Sequence, residues 1–359
     1  MSLNPVNLFI SAIILTLLAI GILVIWSSSP DLALQQGIFA AVGFVIFILV
    51  SRFDYRDLKG FVKPLYFIQL FLLIFVLILG IETRGSTRWI SIGSINLQPS
   101  ELTKPFLILF LAYFWSTHIP NWRNIFKSIL WITPPLLLIF KQPDLGTALT
   151  ILVLSLGLLF ASGISFKKIS ILGIIFFLML PAVWFTLHDY QKQRITGFLS
   201  PANDPLGVGY NVIQSTIAVG SGQIFGRGLG HGTQSRLQFL PEYRTDFIFA
   251  SIAEELGFVG AGLIILIYIF LISYSLMVAY YAYDFFGSLL VYGVVSLLLF
   301  QTVVNIGMTI GLLPVTGITL PLVSYGGSSL VATFISLGLV CSVAKYRRAH
   351  SIDIQTYQE

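Results

Sequence analysis

The sequence predicts an all-α polytopic membrane protein with about ten transmembrane helices. Its 359 residues are 56% hydrophobic and only 10% charged, whereas soluble domains carry roughly 25% charged residues. Apolar runs of about 20 residues recur from end to end, which is the length that a helix needs to cross ~30 Å of hydrocarbon. These runs do not alternate polar and apolar residues as the strands of a membrane barrel do. We therefore expect a single transmembrane domain over residues 1–359.

The predicted spans are 6–26, 33–51, 63–81, 100–117, 129–141, 145–162, 168–187, 247–280, 285–307 and 326–344. The first run is too long for the core of a signal peptide and no basic segment precedes it, so we expect a retained helix. The fifth span is short and contains Pro134 and Pro135, which predicts a broken or tilted helix. The single cysteine, Cys341, lies in the last span and excludes a disulfide framework.

Basic residues concentrate in loops on one side of these spans, and the positive-inside rule makes that side cytoplasmic. They are Arg52, Arg56, Lys59, Lys63, Arg123, Lys127, Lys167, Lys168, Lys345, Arg347 and Arg348. Both termini then face the cytoplasm, which requires an even number of spans. The net charge of +5 is explained by topology and phosphate contacts, so it does not indicate a nucleic-acid-binding protein.

The outer face receives two substantial segments, Glu82–Pro99 and a long loop at about 188–246 between spans seven and eight. Loops of this length without obvious structure are usually functional. We therefore expect the function in this loop and in a membrane cavity beneath it. The glycine spacing within 220–242 resembles a phosphate-binding loop superficially, but it follows no strand and lacks the GK[ST] sequence.

Ionisable residues inside membrane spans are expensive, so each is a functional candidate. Glu101 and Lys104 lie one turn apart on the fourth span. Either Lys104 holds an anion while Glu101 orients it, or the two residues form a structural ion pair. Asp144 stands at the head of the sixth span, where it either caps the first turn or joins the site.

The first outer segment carries Arg84, Arg88 and Trp89. The guanidinium fork suits phosphate oxygens, and tryptophan supplies an amphipathic wedge at the membrane surface. The alternative is an interfacial belt that contacts lipid headgroups.

Asp246 closes the long loop and opens the eighth span. It is either an N-cap, with Thr245 as a competing cap, or a general base at the membrane–water boundary. The basic residues that flank it in this loop are Arg227, Arg236 and Arg244. Glu254 and Glu255 lie farther along the helix and are expected to make buried structural hydrogen bonds.

The last outer segment, 305–329, is interrupted by proline and glycine residues. Irregular backbone at membrane depth is tolerated where it lines a cavity or is buried in protein. We expect this segment to form a wall of the same cavity as Asp246.

These motifs, in this order, resemble the SEDS family (shape, elongation, division and sporulation), which are bacterial peptidoglycan glycosyltransferases. They are RGSTRWISIGSINLQPSELTK at 84–104, KQPDLGTA at 141–148, YQKQRI at 190–195, GYNVIQSTIAVGSGQIFGRGLGHGTQSRLQFLPEYRTDFIFASIAEELG at 209–257 and LPVTGITLPLVSYGGSS at 313–329. The resemblance covers nearly the whole chain. The run HGTQSRLQFLPE resembles the elongation branch more than the division branch.

The resemblance implies a ten-helix enzyme that polymerises lipid II on the outer face of the cytoplasmic membrane for cell elongation and shape. It also implies that the enzyme extends a nascent lipid-linked glycan and works with a class B penicillin-binding protein, a PBP2-type transpeptidase. Asp246 matches the essential aspartate of the family's TDFIF motif. Eight further residues are expected to bind substrate, either at the pyrophosphate or in the cavity. They are Glu101, Lys104, Trp89, Asp144, Arg84, Arg88, Arg194 and Arg244. The family commonly has a histidine where this chain has Arg244, so that histidine's role is not transferred.

Two other classes of function stay open at this stage, a lipid II transporter (flippase) and a scaffold that docks a partner's helix. The division paralogue of the same family also stays open. The absence of an inverted repeat and the concentration of polar residues on one face argue against a transporter. The sequence has no metal-ligand cluster of standard spacing, although Asp246 could help to bind a divalent cation such as Mg²⁺ or Mn²⁺.

Overall fold

The structure, a computed structural model, describes residues 5–83, 86–92 and 95–346. In these residues the α-helices are α1 (Pro5–Ser28), α2 (Pro30–Arg52), α3 (Val62–Leu79), α4 (Pro99–Thr117), α5 (Trp122–Lys141), α6 (Leu145–Ala161), α7 (Phe166–Thr186), α8 (Asp189–Leu199), α9 (Tyr210–Ser221), α10 (Thr233–Arg236), α11 (Ile248–Tyr280), α12 (Phe285–Thr309) and α13 (Gly327–Lys345). The strands are β1 (Ile81–Thr83), β2 (Ser86–Ile92) and β3 (Ile95–Leu97). Helices α1–α7 and α11–α13 occupy the ten predicted span positions.

The long helices form a membrane bundle. Helices α1, α2, α3, α5, α11, α12 and α13 are long and apolar enough to cross a bilayer, and α6 is a shorter apolar helix. The outward faces carry large apolar side chains such as Ile78, Phe177 and Phe258, each more than 70% exposed, which suits lipid and not water. Helices α12 and α13 lie inside the bundle, with 67% and 78% of their most apolar stretches buried. The prediction of an all-α polytopic membrane protein is confirmed.

The fifth span is neither short nor broken, so that part of the expectation is wrong, and its tilt stays a prediction. Helix α5 runs unbroken for 20 residues from Trp122, after Asn121 caps it by accepting a hydrogen bond from Asn124 N. Pro135 has no N–H for the carbonyl of Trp131, one turn earlier. The hydroxyl of Tyr66 on α3 donates to that carbonyl at 2.7 Å, so the helix continues through the prolines.

The eighth span, predicted as continuous, is interrupted at Gly257 inside α11, where φ is 70° and ψ is −166°. This backbone conformation is essentially restricted to glycine. Four backbone hydrogen bonds of 2.8–3.1 Å join the break to residues 223–228: Phe258 N to Gln223 O, Val259 N to Ile224 O, Arg227 N to Glu254 O and Gly228 N to Glu255 O. The glycine-rich run of the long loop therefore satisfies the freed backbone of α11.

The long loop is folded, which corrects the expectation of a segment without structure. It contains α8, α9 and α10, and its apolar residues build a second small core with the start of α11, made of Ala218, Leu240, Tyr243, Phe247 and Ala250. The carboxylate of Glu254 accepts hydrogen bonds from Gln234 N at 2.9 Å and Ser235 N at 3.2 Å in α10. Its expected buried structural role is confirmed.

The strands form an antiparallel sheet in the order β1-β2-β3, with Trp89 opposite Ile81 and Ile90 opposite Leu97. This sheet, the 142–144 turn, the 187–247 loop and the 310–326 segment lie at the same end of the bundle, which we call the loop side.

Candidate functional site around Asp246

Asp246 lies in a turn just before α11 and is half-buried. The N-cap position of α11 belongs to Phe247 and has no side-chain cap hydrogen bond. The proposed capping roles of Asp246 and Thr245 are therefore wrong. The hydroxyl of Thr245 instead donates to the carboxylate of Glu242 at 3.0 Å.

The backbone of this turn is fixed to α12 and to the 310–326 segment. Asn305 on α12 donates from Nδ2 to the carbonyl of Asp246 at 2.8 Å and to the carbonyl of Ile318 at 2.7 Å. Ser324 Oγ donates to the carbonyl of Thr245 at 2.6 Å. These bonds fix the main chain of Asp246 to the facing 310–326 segment, so the side chain projects from a rigid backbone.

Gly317 is the point where this segment meets the charged side chains. A Cβ built on Gly317, whose φ is +77°, would lie 3.5 Å from Oδ2 of Asp246 and 3.6 Å from Nη1 of Arg194. On the neighbouring side, a Cβ built on Gly146 of α6 would lie 2.8 Å from the carbonyl oxygen of Thr316. The predicted proximity of the 305–329 segment to Asp246 is thus present in the structure.

Arg194 projects from α8 and is exposed. Its Nη1 donates to the carbonyl of Val315 at 3.4 Å, and its guanidinium lies 5.9 Å from the ring centroid of Tyr190. The hydroxyl of Tyr190 donates to the carbonyl of Pro143 at 2.6 Å. Helix α8 is therefore fixed between the 142–144 turn and the 310–326 segment, with its arginine beside Asp246.

Arg88 on β2 continues this polar surface. Its Nε donates to the carbonyl of Gln142 at 2.8 Å, its Nη2 donates to the carbonyl of Pro143, and its Nη1 lies 4.0 Å from Oδ1 of Asp144. Since Tyr190 donates to the same Pro143 carbonyl, Arg88 and Arg194 lie on either side of one turn.

Asp144 caps α6, accepting from Thr147 N at 3.1 Å and from the Thr147 hydroxyl at 3.0 Å. The capping interpretation is confirmed. Gln98 Nε2 also donates to its Oδ2 at 3.2 Å, which links the cap to the start of α4. With Arg88 on its other oxygen, Asp144 fixes the position of the arginine, and its contact with a substrate stays a prediction.

Glu101 and Lys104 are both buried, and Lys104 Nζ lies 2.7 Å from Glu101 Oε1. This is the geometry of the structural ion-pair alternative. The pair lies in the first turns of α4, next to Ser100, whose hydroxyl is 3.5 Å from Asp144. Its role in holding an anion stays a prediction.

The remaining predicted residues have mixed outcomes. Trp89 is half-buried in β2. Arg244 is half-buried with its guanidinium 4.5 Å from the ring centroid of Tyr243 and hydrogen-bonded to that hydroxyl, so it is positioned on the small core of the loop. Arg84 lies outside the described residues.

Comparison with known proteins identifies the family. Residues 7–349 match the model of a family described as "Cell cycle protein", which covers FtsW, RodA and SpoVE. The chain belongs to this family. It is the SEDS family that the motifs resemble. The peptidoglycan glycosyltransferase MrdB of Escherichia coli (strain K12) is 41% identical over 342 residues, 94% of this chain and 92% of that protein.

Two solved structures share this SEDS fold. One comes from a study of the structural coordination of polymerization and crosslinking by a peptidoglycan synthase complex, with a TM-score of 0.81, 35% identity and coverage of 94% of this chain and 96% of that chain. The other is the rod shape determining protein RodA of Thermus thermophilus, with a TM-score of 0.72, 29% identity and coverage of 95% and 97%.

Sequence reasoning did not single out Asn305 or Tyr190 in this SEDS protein, and it noted Gly317 only as one of the residues that interrupt the 305–329 segment. Asn305 had a usable signal, because a polar amide within an apolar span is costly unless it has partners. Tyr190 carried no signal beyond its place in a motif, and the contact of Gly317 with the two charged residues depends on distant parts of the chain.

The described residues contain no group of three or more His, Cys, Asp or Glu side chains that could hold a metal ion. Mg²⁺ sites typically combine one or two carboxylates with substrate phosphates. Here Asp246 supplies one carboxylate beside the cation of Arg194, which disfavours a second cation. These residues suit an anionic ligand better than a divalent metal.

Two apolar grooves, of about 490 and 630 Å³, run along α11 and α12. Their linings are almost entirely hydrocarbon and include neither Asp246, Arg194 nor Arg88. These grooves therefore lack the charged and proton-accepting groups that a group-transfer reaction needs, whereas the polar cluster around Asp246 contains them.

Proposed function

We propose that this chain is a peptidoglycan glycosyltransferase that polymerises lipid II on the outer face of the cytoplasmic membrane. The observation that carries the proposal is the convergence of Asp246 Oδ2 and Arg194 Nη1 beside Gly317, on the loop side of a membrane bundle. A carboxylate next to a cation is what an inverting glycosyl transfer to a hydroxyl requires. The names of MrdB and of the synthase complex agree with this reaction.

In the proposed reaction, the 4-hydroxyl of a GlcNAc attacks the anomeric carbon of a MurNAc that is activated by polyprenyl pyrophosphate. Asp246 accepts the hydroxyl proton as the new C–O bond forms. The bond from the anomeric carbon to the phosphate oxygen breaks, and polyprenyl pyrophosphate leaves with the electron pair. The configuration inverts in one step, so no second carboxylate nucleophile is needed.

Three physical terms contribute to the rate. General-base catalysis by a positioned carboxylate is worth about 10²–10⁴. Guanidinium groups fixed before the reaction stabilise the charge that develops on the pyrophosphate. Two substrates held in one membrane plane also lose less entropy on reaching the transition state than two free solutes.

We assign Arg194 and Arg88 to the departing pyrophosphate. Arg194 is exposed, and each guanidinium is oriented by backbone carbonyls of the 142–144 turn or the 310–326 segment. Trp89, Arg84, Arg244 and the Glu101–Lys104 pair remain proposed residues of the surrounding cavity. The positive-inside pattern supports an outward-facing loop side and cytoplasmic termini.

We further propose that the chain works in cell elongation with a class B penicillin-binding protein that crosslinks the glycan. The 231–242 motif supports the elongation branch, and the fold shared with a complex of polymerisation and crosslinking supports such a partner.

Reconstitution tests this function against transport. The full chain and its partner would be placed in vesicles with fluorescent lipid II and a transpeptidase inhibitor, with vesicles containing only the partner as the control. We expect glycan ladders on a gel that depend on this chain. Transbilayer movement of lipid II without ladders would instead identify a flippase and contradict the proposal.

A further inference from the structure

Gly317 lies between the Asp246 carboxylate and the Arg194 guanidinium. A Cβ built on it would contact both Asp246 Oδ2, at 3.5 Å, and Arg194 Nη1, at 3.6 Å. We propose that the space above the Cα of Gly317 is the subsite in which the anomeric carbon lies, with the acceptor hydroxyl on the Asp246 side and the leaving phosphate oxygen on the Arg194 side, and that a side chain at Gly317 blocks the reaction. This inference rests on the proposed glycosyltransferase function.

The acceptor oxygen and the leaving oxygen each have a charged partner that borders this space. A hydroxyl that gives its proton to a carboxylate lies about 2.6–3.2 Å from it, and a phosphate oxygen bound to a guanidinium lies about 2.7–2.9 Å from the nitrogen. A methyl carbon reaches van der Waals contact at about 3.5–4.0 Å. A methyl group on Gly317 would therefore contact both charged groups and displace the reacting carbon that lies between the two oxygens.

The backbone around Gly317 is held from three sides, which limits its retreat from an added methyl group. Arg194 donates to the carbonyl of Val315, and Asn305 donates to the carbonyl of Ile318. The start of α6 is in close contact with this stretch, since a Cβ on Gly146 would lie 2.8 Å from the carbonyl oxygen of Thr316.

The same segment offers a matched control in Gly311. Its φ of +76° is nearly that of Gly317, and a Cβ built on it would meet the hydroxyl of Thr216 on α9 at 3.3 Å. Alanine at either position carries the same left-handed backbone strain. The methyl group fills the proposed subsite only in the Gly317 variant.

The test compares wild type, Gly317→Ala and Gly311→Ala, each as the full chain with its partner in vesicles containing fluorescent lipid II. We expect Gly317→Ala to lose at least about 100-fold in polymerisation rate, as removal of one transition-state donor does, with a Tm equal to that of Gly311→Ala. We expect Gly311→Ala to retain most of the wild-type rate. Equal rates for the two variants would overturn the subsite, whereas a wild type that makes no glycan would overturn the proposed function itself.

A second measurement decides the matter if Gly317→Ala does not fold. Inorganic pyrophosphate should raise the Tm of the wild type and of Arg56→Ala, a variant on the opposite side of the bundle, but not that of Arg194→Ala. A wild type whose Tm does not respond to pyrophosphate, or an Arg194→Ala variant that responds equally, would overturn the anion-binding half of the subsite.

Discussion

On the side of the bundle opposite Asp246, cations meet carboxylates directly, whereas Arg194 beside Asp246 is anchored by a backbone carbonyl. On the opposite side, Arg56 lies 2.6 Å from Asp54 and Lys59 lies 2.9 Å from Asp284. On the loop side, Arg194 donates to the Val315 carbonyl. A carbonyl orients a guanidinium without cancelling its charge, so Arg194 keeps positive charge available for an anionic substrate, whereas the charge of Arg88 is partly balanced by Asp144, 4.0 Å away.

The buried Glu101–Lys104 pair follows the pattern of the opposite side, because its two charges also cancel. This comparison divides the ionisable residues into those that stabilise the bundle and those that are placed to act on a ligand. Substitutions in each of these two groups of residues test the division.

The largest effect on stability is expected at Lys104. Replacing Lys104 by Ala leaves the buried Glu101 carboxylate without its cation, which typically costs about 3–5 kcal/mol. Unfolding of the purified variant in detergent, followed by circular dichroism, measures this loss.

The double variant Glu101→Gln/Lys104→Met is the control, since it removes both charges and should recover most of the stability. Its polymerisation rate then separates the two interpretations of the pair. A folded double variant that polymerises normally identifies a purely structural pair, whereas a slow one supports a role of Lys104 in pyrophosphate handling.

A smaller effect, on rate alone, is expected at Arg194. Arg194→Ala should lower polymerisation by about 10²-fold, at the low end for removal of one preorganised donor, because its side chain is exposed to solvent. The Tm should not change. Arg56→Ala provides the matched control on the opposite side, and a comparable rate loss in both variants would remove the distinction between the two sides.

The smallest effect is expected at Asp284. Burial raises the pKa of this carboxyl, but hydrogen bonds from Lys59, Tyr55 and Gly287 N outweigh burial and hold the pKa below its usual value. A depressed pKa stabilises the fold above the unfolded-state pKa, about 3.9, and this contribution is lost as the pH falls through the folded-state pKa.

Asp284→Asn keeps an N-capping side chain and should lose on the order of 1 kcal/mol or less near pH 7, as a partly exposed ion pair does. The difference in Tm between wild type and variant should shrink as the pH is lowered from about 7 to 3. A difference that grows on acidification would contradict the assigned direction of the pKa.

The spans were predictable because hydrophobicity is a local property, and a run of about 20 apolar residues decides a helix without reference to the rest of the chain. The interruptions were not. Whether α5 continues through Pro135 depends on Tyr66, which is 65 positions from the carbonyl that it binds. The break at Gly257 likewise depends on backbone groups at 223–228.

The site was predictable only in part for the same reason. Asp246, Arg88, Asp144 and Arg194 were identified by residue type and motif. Their arrangement arises from contacts between distant parts of the chain, such as Asn305 with Asp246, 59 positions apart, and Arg194 with Val315, 121 positions apart. The alternative that Asp246 caps α11 was reasonable from the sequence. It is wrong because the helix begins one residue later than that alternative requires, with Phe247 at the N-cap position.

Asp246→Asn tests the central assignment most directly, because asparagine keeps the size of the side chain and removes its capacity to take a proton. Lipid II binding and glycan polymerisation would be measured side by side on the purified variant with its partner. We expect binding and Tm close to those of the wild type and a polymerisation rate lower by about 10²–10⁴, the range of general-base catalysis. A variant that polymerises lipid II at nearly the wild-type rate would contradict the account.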